Sequence, residues 1–316
     1  SGSSRGLGDV YKRQPANVAS ALRKLKIDSI FIGSLGRDDF GKKIIEQFNE
    51  LEVNLDFLQS NNDSSTRVVN VDRDQSGDRF FSGFEPSLHS CFADEALSMK
   101  LIEKELLNLE KCFLRTKYLV TGTNVLSSSI SAETIFFLLE QAKKSEVKVV
   151  IDLNWREVFW DYSNFASDTS KKGRINLIKN FLNHAHVIKL AKEEATLFFE
   201  IENPSLISQQ MSKRPDVIIT DGKNPVSWHI NGFQGNTKIP KSQKIVDTTG
   251  AGDAFLAGLI SEFISFGYPK SELEIQACVR FASACGLLTC HGEGAIEPQP
   301  DCLLYTSDAA DEQLSV

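Results

Sequence analysis

Residues 247–255 read Asp-Thr-Thr-Gly-Ala-Gly-Asp-Ala-Phe, and this stretch governs how the rest of the chain is read. It follows the apolar pair Ile245 and Val246 and precedes a helix-like apolar run, Phe255, Leu256, Leu259, Ile260 and Phe263. Two glycines at a helix start let the backbone approach a bound group without interference from Cβ. The N–H groups of Gly250, Ala251, Gly252 and Asp253 can then point at an anion, assisted by the helix dipole. A carboxylate among anion-binding amides repels the anion unless the reaction uses it. Asp253 therefore reads as a general base beside a phosphoryl group, deprotonating an attacking hydroxyl. The competing reading is an Asp/Gly-rich turn that caps a helix.

Working outward, short apolar runs alternate with helix-like segments. Val18–Leu25 carries Val18, Ala21, Leu22 and Leu25 on one face. Ser29–Gly33 is expected to be a strand and Phe40–Leu51 a helix. Arg67–Asp72 and Arg79–Phe84 flank Asp74-Gln75-Ser76-Gly77-Asp78, a hairpin signal with polar flanks, which suits an edge or lid. Strands are expected at 117–120, 148–151, 187–190, 217–220 and 227–230. Helices are expected at 132–143, 174–182, 192–199, 252–266 and 271–289. Such alternation predicts an α/β fold with a mostly parallel central sheet, helices on both faces and a small β lid.

The strand ends deliver polar residues: Thr121-Gly122-Thr123-Asn124, Asp152 to Arg156, Lys189 to Glu194, and Asp221-Gly222-Lys223. Open parallel sheets bind ligands at the carboxyl ends of their strands, so this concurrence predicts one site. Arg156 can place a planar cation on a phosphoryl oxygen. Glu194 can hold Mg²⁺ through water. Asn17 reads either as a cap of the first helix or as a hydrogen-bond partner of a sugar hydroxyl. Arg79 reads either as a solvated edge charge or as a lid residue over substrate. Neither a Gly-x-x-x-x-Gly-Lys-Ser/Thr loop nor a Gly-x-Gly-x-x-Gly loop occurs, so any nucleotide phosphates must rest on 247–253.

Hydrophobic content of 41% with 24% charge is that of a globular chain, and residues 15–301 suffice for one large α/β domain or two smaller ones. A net charge of −7 without a basic run argues against a nucleic-acid surface. No apolar stretch reaches the length of a membrane span. Six cysteines include no Cys-x-x-Cys pair, and Cys278 and Cys285 suit an apolar helix core. Scattered thiols fit a reducing cytoplasm.

Both ends carry an unusual signature. Asp9–Gln14 can be encoded by GATGTGTATAAGAGACAG. Its reverse complement, read from the second base, encodes Cys-Leu-Leu-Tyr-Thr, the sequence of residues 302–306. Residues 1–14 and 302–316 are therefore expected to be translated adapter, leaving 15–301 as the natural domain.

Asp247–Asp253 resembles the second signature of the ribokinase-like (PfkB) carbohydrate kinases. Pro15-Ala16-Asn17-Val18-Ala19 and Gly33-Ser34-Leu35-Gly36-Arg37-Asp38-Asp39-Phe40-Gly41 resemble the first. Asp78 to Phe81, Asp152 to Arg156 with Phe159-Trp160, and Gly294 to Pro300 are most similar to fructokinases. The resemblance covers essentially all of 15–300. It implies transfer of the γ-phosphoryl group of ATP to a sugar, at the 6-hydroxyl for fructose.

By similarity Asp253 is the base, and Gly250, Ala251 and Gly252 form the anion hole. Asn17, Arg79 and Asn154 face the sugar and Arg156 the phosphoryl group. Lys189, Asp221, Gly222, Thr249, Gly250, Gly252, Ala282 and Gly286 border the nucleotide. Glu194 serves Mg²⁺, and Asp247 with Thr249 a K⁺-type cation. The partners are ATP and a small sugar, with no nucleic acid or membrane. A homodimer and a cytoplasmic location follow as expectations, or a plastid one behind a transit peptide.

Two departures from the pattern stand out. Ala191 occupies the place of an Asn in the family's Asn-x-x-Glu. The central strand and lid segment that precede Pro-Ala-Asn in the family, with a sugar-binding Asp and a Gly-Gly pair, are not in the chain. Little activity is therefore expected of this polypeptide itself. The alternatives are a sibling kinase for ribose, a 2-keto-3-deoxy sugar acid or a nucleoside, and a kinase-like scaffold without turnover.

Overall fold

The computed structural model describes residues 14–73, 79–85, 92–160, 171–240 and 245–301, with side chains omitted at 69–73, 79–85, 158 and 159. The two proposed adapter segments lie outside these residues, apart from Gln14, which begins the first helix. The chain forms two compact units: Ser1–Ala93 with Lys241–Ser261 and Ala282–Val316, and Asp94–Pro240 with Glu262–Phe281.

The first unit begins with α1 (Gln14–Lys24), β1 (Gly33–Gly36), α2 (Asp39–Glu50) and β2 (Leu58–Asn61). The strand expected at 29–33 is corrected: Ile30 makes only an isolated bridge to Asn54, and regular pairing with β2 runs from Gly33 to Gly36. Gly33 allows the shift, because the Phe31 ring packs where its Cβ would stand, 2.5 Å away. Helix α2 starts where Asp38 accepts the Gly41 N–H at 2.8 Å, an N-cap of ordinary chemistry. Ile44 and Phe48, one turn apart, bury against Phe31, Leu35, Ala16 and Ala19. Strands β3 (Val68–Arg73) and β4 (Arg79–Glu85) pair antiparallel, as the hairpin pattern predicts.

The second unit opens with α3 (Met99–Lys104), α4 (Leu106–Phe113), β5 (Tyr118–Gly122), α5 (Ser129–Lys144), β6 (Lys148–Asp152) and α6 (Glu157–Trp160). It continues with α7 (Lys171–Leu182), β7 (Val187–Ala191), α8 (Lys192–Phe199), α9 (Pro204–Gln210), β8 (Asp216–Asp221), β9 (Asn224–Ile230) and β10 (Phe233–Thr237). Its sheet runs in the order β10-β9-β8-β7-β6-β5. The four strands from β5 to β8 are parallel, β9 pairs antiparallel with β8, and β10 pairs antiparallel with β9. Val149, Val150, Ile151, Val187, Ile188, Val217 and Ile218 are all buried. Burial on both faces explains their continuous apolar runs. Helices α10 (Ala251–Ser265) and α11 (Glu272–Thr289) contribute residues to both units. Among the described residues no helix is long and apolar enough to cross a membrane. Cys278, Cys285 and Cys290 are buried thiols, the first two in α11 as its apolar pattern indicates.

A histidine completes part of the sheet. His186 Nδ1 accepts the Val149 N–H at 3.0 Å while the His186 backbone N–H donates to Val149 O at 2.8 Å. Desolvation, then Lys213 and Lys148, hold its pKa below the usual histidine value. The unfolded chain therefore takes up a proton that the folded ring resists. This contribution is fully present above the ordinary histidine pKa and is lost as the pH falls through the folded value. Urea midpoints measured across acid pH are expected to fall more steeply for the parent than for His186→Asn. Parallel curves would remove the histidine from the account.

Candidate active site

Two groups of predicted residues gather, one in each unit. In the first, Asp253 stands in the opening turn of α10, and its Oδ2 accepts a 2.7 Å hydrogen bond from Asn17 Nδ2. The residues are 236 positions apart, so both sequence signatures meet in one contact. Asn17 does not cap α1. It lies inside that helix, is 2% exposed, and its Oδ1 has no hydrogen-bond partner among the described residues. A buried acceptor without a donor is costly, so a ligand hydroxyl is a chemically suited occupant.

The turn before α10 is shaped by Asp247, which is 3% exposed. Its Oδ1 accepts the Thr249 N–H at 2.9 Å and its Oδ2 the Gly294 N–H at 3.1 Å. Gly250 has φ +78°, and an added Cβ would stand 2.7 Å from Ala295 O and 2.9 Å from Ala295 Cα. Positive φ and close approach both demand glycine here. Ala251 N–H makes a long 3.3 Å turn bond to Thr248 O. First-turn amides otherwise have no acceptor within their helix. Gly286 brings α11 against this start, since its Cβ would lie 2.9 Å from Ala251 O. Ala282 is fully buried, and its Cα lies 3.0 Å from where a Cβ on Gly258 would stand, so helix packing accounts for its small size. Arg79 is the first residue of β4, and its side chain lies outside the described residues.

In the second unit the strand ends form one rim. Gly122 pairs with Asp152 and Asp152 with Lys189, which sets these ends level. Lys189 Nζ bonds Asp152 Oδ2 at 3.0 Å, both side chains being almost wholly buried. A buried pair of this kind is held by its geometry rather than by net Coulomb gain. Asp152 carried no assigned role in the sequence; its signal was a carboxylate ending the apolar run Val149-Val150-Ile151. Thr123 Oγ1 donates to Leu153 O at 2.5 Å, and Leu153 N–H bonds Lys189 O at 2.9 Å. Asn154 then turns with φ +41°, an uncommon conformation for a non-glycine residue at a strand end. The Trp155 ring lies 5.3 Å from Trp160 and edge-on to Phe198 at 5.4 Å, which seats the loop that carries exposed Arg156.

Glu194 closes this rim. Its Oε1 accepts the Trp155 N–H at 2.6 Å and its Oε2 the Ala191 N–H at 2.7 Å. Desolvation, then Asp152, pushes its pKa above the usual carboxylate range, while the backbone donors and Lys189 oppose the shift. With Ala191 in place of an Asn, the reach-back bond from Glu194 supplies the start of α8. Both oxygens being engaged by amides, Glu194 fits a magnesium ion through water better than by direct ligation. Among the described residues no three His, Cys, Asp or Glu side chains form a metal cluster. Lys192 Nζ lies 3.3 Å from Asp221 Oδ2 and 3.4 Å from Glu202 Oε2, and Gly222 follows with φ +53°. The Lys192 contacts are missed by sequence reading because they depend on strand order.

Known proteins resemble this chain over most of its length. The chain is 28% identical over 306 residues to Probable fructokinase-6, chloroplastic, of Arabidopsis thaliana, covering 95% of this chain and 73% of that protein. It is 26% identical over 291 residues to the fructokinase of Salmonella typhimurium, covering 90% and 87%. The crystal structure of Xylella fastidiosa fructokinase with bound ATP superposes with a TM-score of 0.80 at 25% identity, covering 95% and 91%. The ribokinase-like fold, its mostly parallel sheet included, is thereby shared with a sugar kinase. The family model described as pfkB family carbohydrate kinase matches residues 14–302, and the chain belongs to that family of sugar phosphotransferases.

Proposed function

We propose that this chain carries the machinery of an ATP-dependent fructokinase that phosphorylates the 6-hydroxyl of fructose. The observation that carries this reading is the 2.7 Å contact from Asn17 to Asp253, which joins a hydroxyl-binding amide to the proposed base at the mouth of α10. Asp253 takes the proton of the sugar hydroxyl as its oxygen attacks the γ-phosphorus. The N–H groups of Gly250, Ala251 and Gly252 meet the negative charge on the phosphoryl oxygens. Asn17 and Asn154 orient the sugar, and Arg79 closes over it. Arg156 meets the transferring group; Lys189, Asp221, Gly222, Thr249, Ala282 and Gly286 border the nucleotide. Glu194 would hold a magnesium ion through water, which would neutralise charge on the phosphates when bound, and Asp247 with Thr249 is the proposed place for a monovalent cation. The relatives named above support ATP and fructose as the pair.

The test is a coupled ADP assay on the complete gene product with fructose, ribose, a 2-keto-3-deoxy sugar acid and a nucleoside. Fructose is expected to lead in kcat/KM by about tenfold or more, since an unmatched polar contact in a hydroxyl-binding site is heavily penalised. Preference for another acceptor would move the substrate assignment. A folded protein without nucleotide binding would favour the scaffold.

A further inference from the structure

We infer that Lys24 is a positioning residue for the 247–253 turn, its ammonium acting as a built-in cation that clasps the carbonyl rim of the 296–299 loop. The inference rests on reading that turn as the anion cradle and Asp253 as the base.

Lys24 is the last residue of α1, seven residues beyond Asn17 on the same helix. Its Nζ donates to Ile296 O at 2.6 Å, Glu297 O at 2.9 Å and Gln299 O at 3.2 Å. Three carbonyls on one ammonium use all three of its protons. This is more than a lysine needs for helix C-terminal electrostatics, where it would face the carbonyls of its own helix. Here the acceptors belong to a loop more than 270 residues away in sequence.

The segment 294–299, of which that loop is part, touches the cradle at two points. On one side Gly294 N–H holds Asp247 Oδ2, and the backbone of Ala295 forms the wall against Gly250. On the other side Gln299 Nε2 donates to Asn17 O at 3.1 Å. Asn17 in turn holds Asp253. Lys24 therefore fastens one segment that sets both the turn geometry and the orientation of the carboxylate. Without the ammonium the three carbonyls turn to water, and the Ala295 wall loses its anchor. Rigid support from outside the reacting groups is what a preorganised site requires, because small displacements of oriented groups are costly in rate.

The test compares amide hydrogen exchange in the purified chain and in Lys24→Met. Exchange at Val246, Thr249 and Gly294 is expected to quicken about tenfold, while the β6 amides at 149–151 keep their protection. Lys24→Arg, which also presents several donors to carbonyls, is expected to restore most of the difference. Unchanged exchange at the three amides overturns the inference. So does equal loss at 149–151, which would make Lys24 a general stability residue, and so does failure of Lys24→Arg to restore protection. Should Lys24→Met not fold, Gln299→Leu removes the bond to Asn17 O and is held to the same comparison.

In the complete gene product Lys24→Met is expected to lower kcat about tenfold with the sugar KM within twofold, the split that marks an interaction made in the transition state. A rise in KM at constant kcat contradicts positioning. Absence of kinase activity in the parent would strike the functional reading alone, since the exchange comparison needs no turnover.

Discussion

Asp253→Asn is expected to lower kcat of the complete gene product by about a hundred- to ten-thousand-fold, the range that a positioned general base contributes. The substitution is nearly isosteric. The carbonyl oxygen of the replacement amide can still accept the Asn17 Nδ2 hydrogen bond that Asp253 Oδ2 accepts at 2.7 Å. What disappears is basicity, because an amide does not take up the sugar's proton near neutral pH. Nucleotide affinity is expected to hold or to improve, since one negative charge leaves the neighbourhood of the first-turn amides. The melting temperature is expected to stay within about 3 °C, corresponding to less than about 1 kcal/mol in a chain of this size. The coupled ADP assay and a thermal melt together decide the matter. Turnover within a few-fold of the parent, in a folded variant, would remove the carboxylate from the chemistry and leave the 247–253 turn as a helix start only.

The reasons why parts of this site were legible in the sequence, and others were not, are physical. Strands β5 to β8 were visible because burial on both faces selects uninterrupted apolar runs, and the polar residues that end them mark the rim. Strand β2, Leu58-Gln59-Ser60-Asn61, has no such run. Strand β10, Phe233-Gln234-Gly235-Asn236-Thr237, is mostly exposed, so no burial pattern marks it either. A local signal did exist for β10. Asn231 and Gly232 have φ +50° and +82°, the positive pair that a tight hairpin turn requires and that Asn-Gly favours. Helices α3, α4 and α9 are short, and α9 announces itself only through the Asn203 cap and Pro204.

At the site, residue type marks the 247–253 turn as the candidate cradle, since two glycines and an acid stand before an apolar helix. Pairings were not legible. Asn17 with Asp253, Lys189 with Asp152 and Lys24 with the 296–299 carbonyls each depend on chain segments far apart in sequence. Helix propensity carries no such information. Asn17 was expected either at a helix start or on a sugar, and the structure places it inside the helix with one amide end engaged and the other buried.

The second large effect is expected at Gly250. Gly250→Ala meets two penalties at once. The backbone stands at φ +78°, where an L side chain is strained, and the new methyl would lie 2.7 Å from Ala295 O and 2.9 Å from Ala295 Cα. Strain of this backbone type alone costs about 1–3 kcal/mol. The clash cannot be relieved by a side-chain rotation, because both nearest atoms are backbone, and overpacking adds about 1–3 kcal/mol more. Gly267→Ala separates the terms. Gly267 has φ +87° but nothing within 4 Å of its missing Cβ, so it bears the conformational cost without the contact.

Urea denaturation is expected to show Gly250→Ala losing about 2 kcal/mol more than Gly267→Ala, the difference being the wall at Ala295. Function should separate them further. To escape Ala295 the turn must move, and an anion cradle displaced by even a few tenths of an ångström presents its N–H groups off the oxygens they are meant to meet. ATP binding by calorimetry is therefore expected to weaken at least tenfold for Gly250→Ala and to be unchanged for Gly267→Ala. Equal stability loss in the two variants would show that Ala295 yields, and undiminished nucleotide affinity would place the phosphates away from this turn.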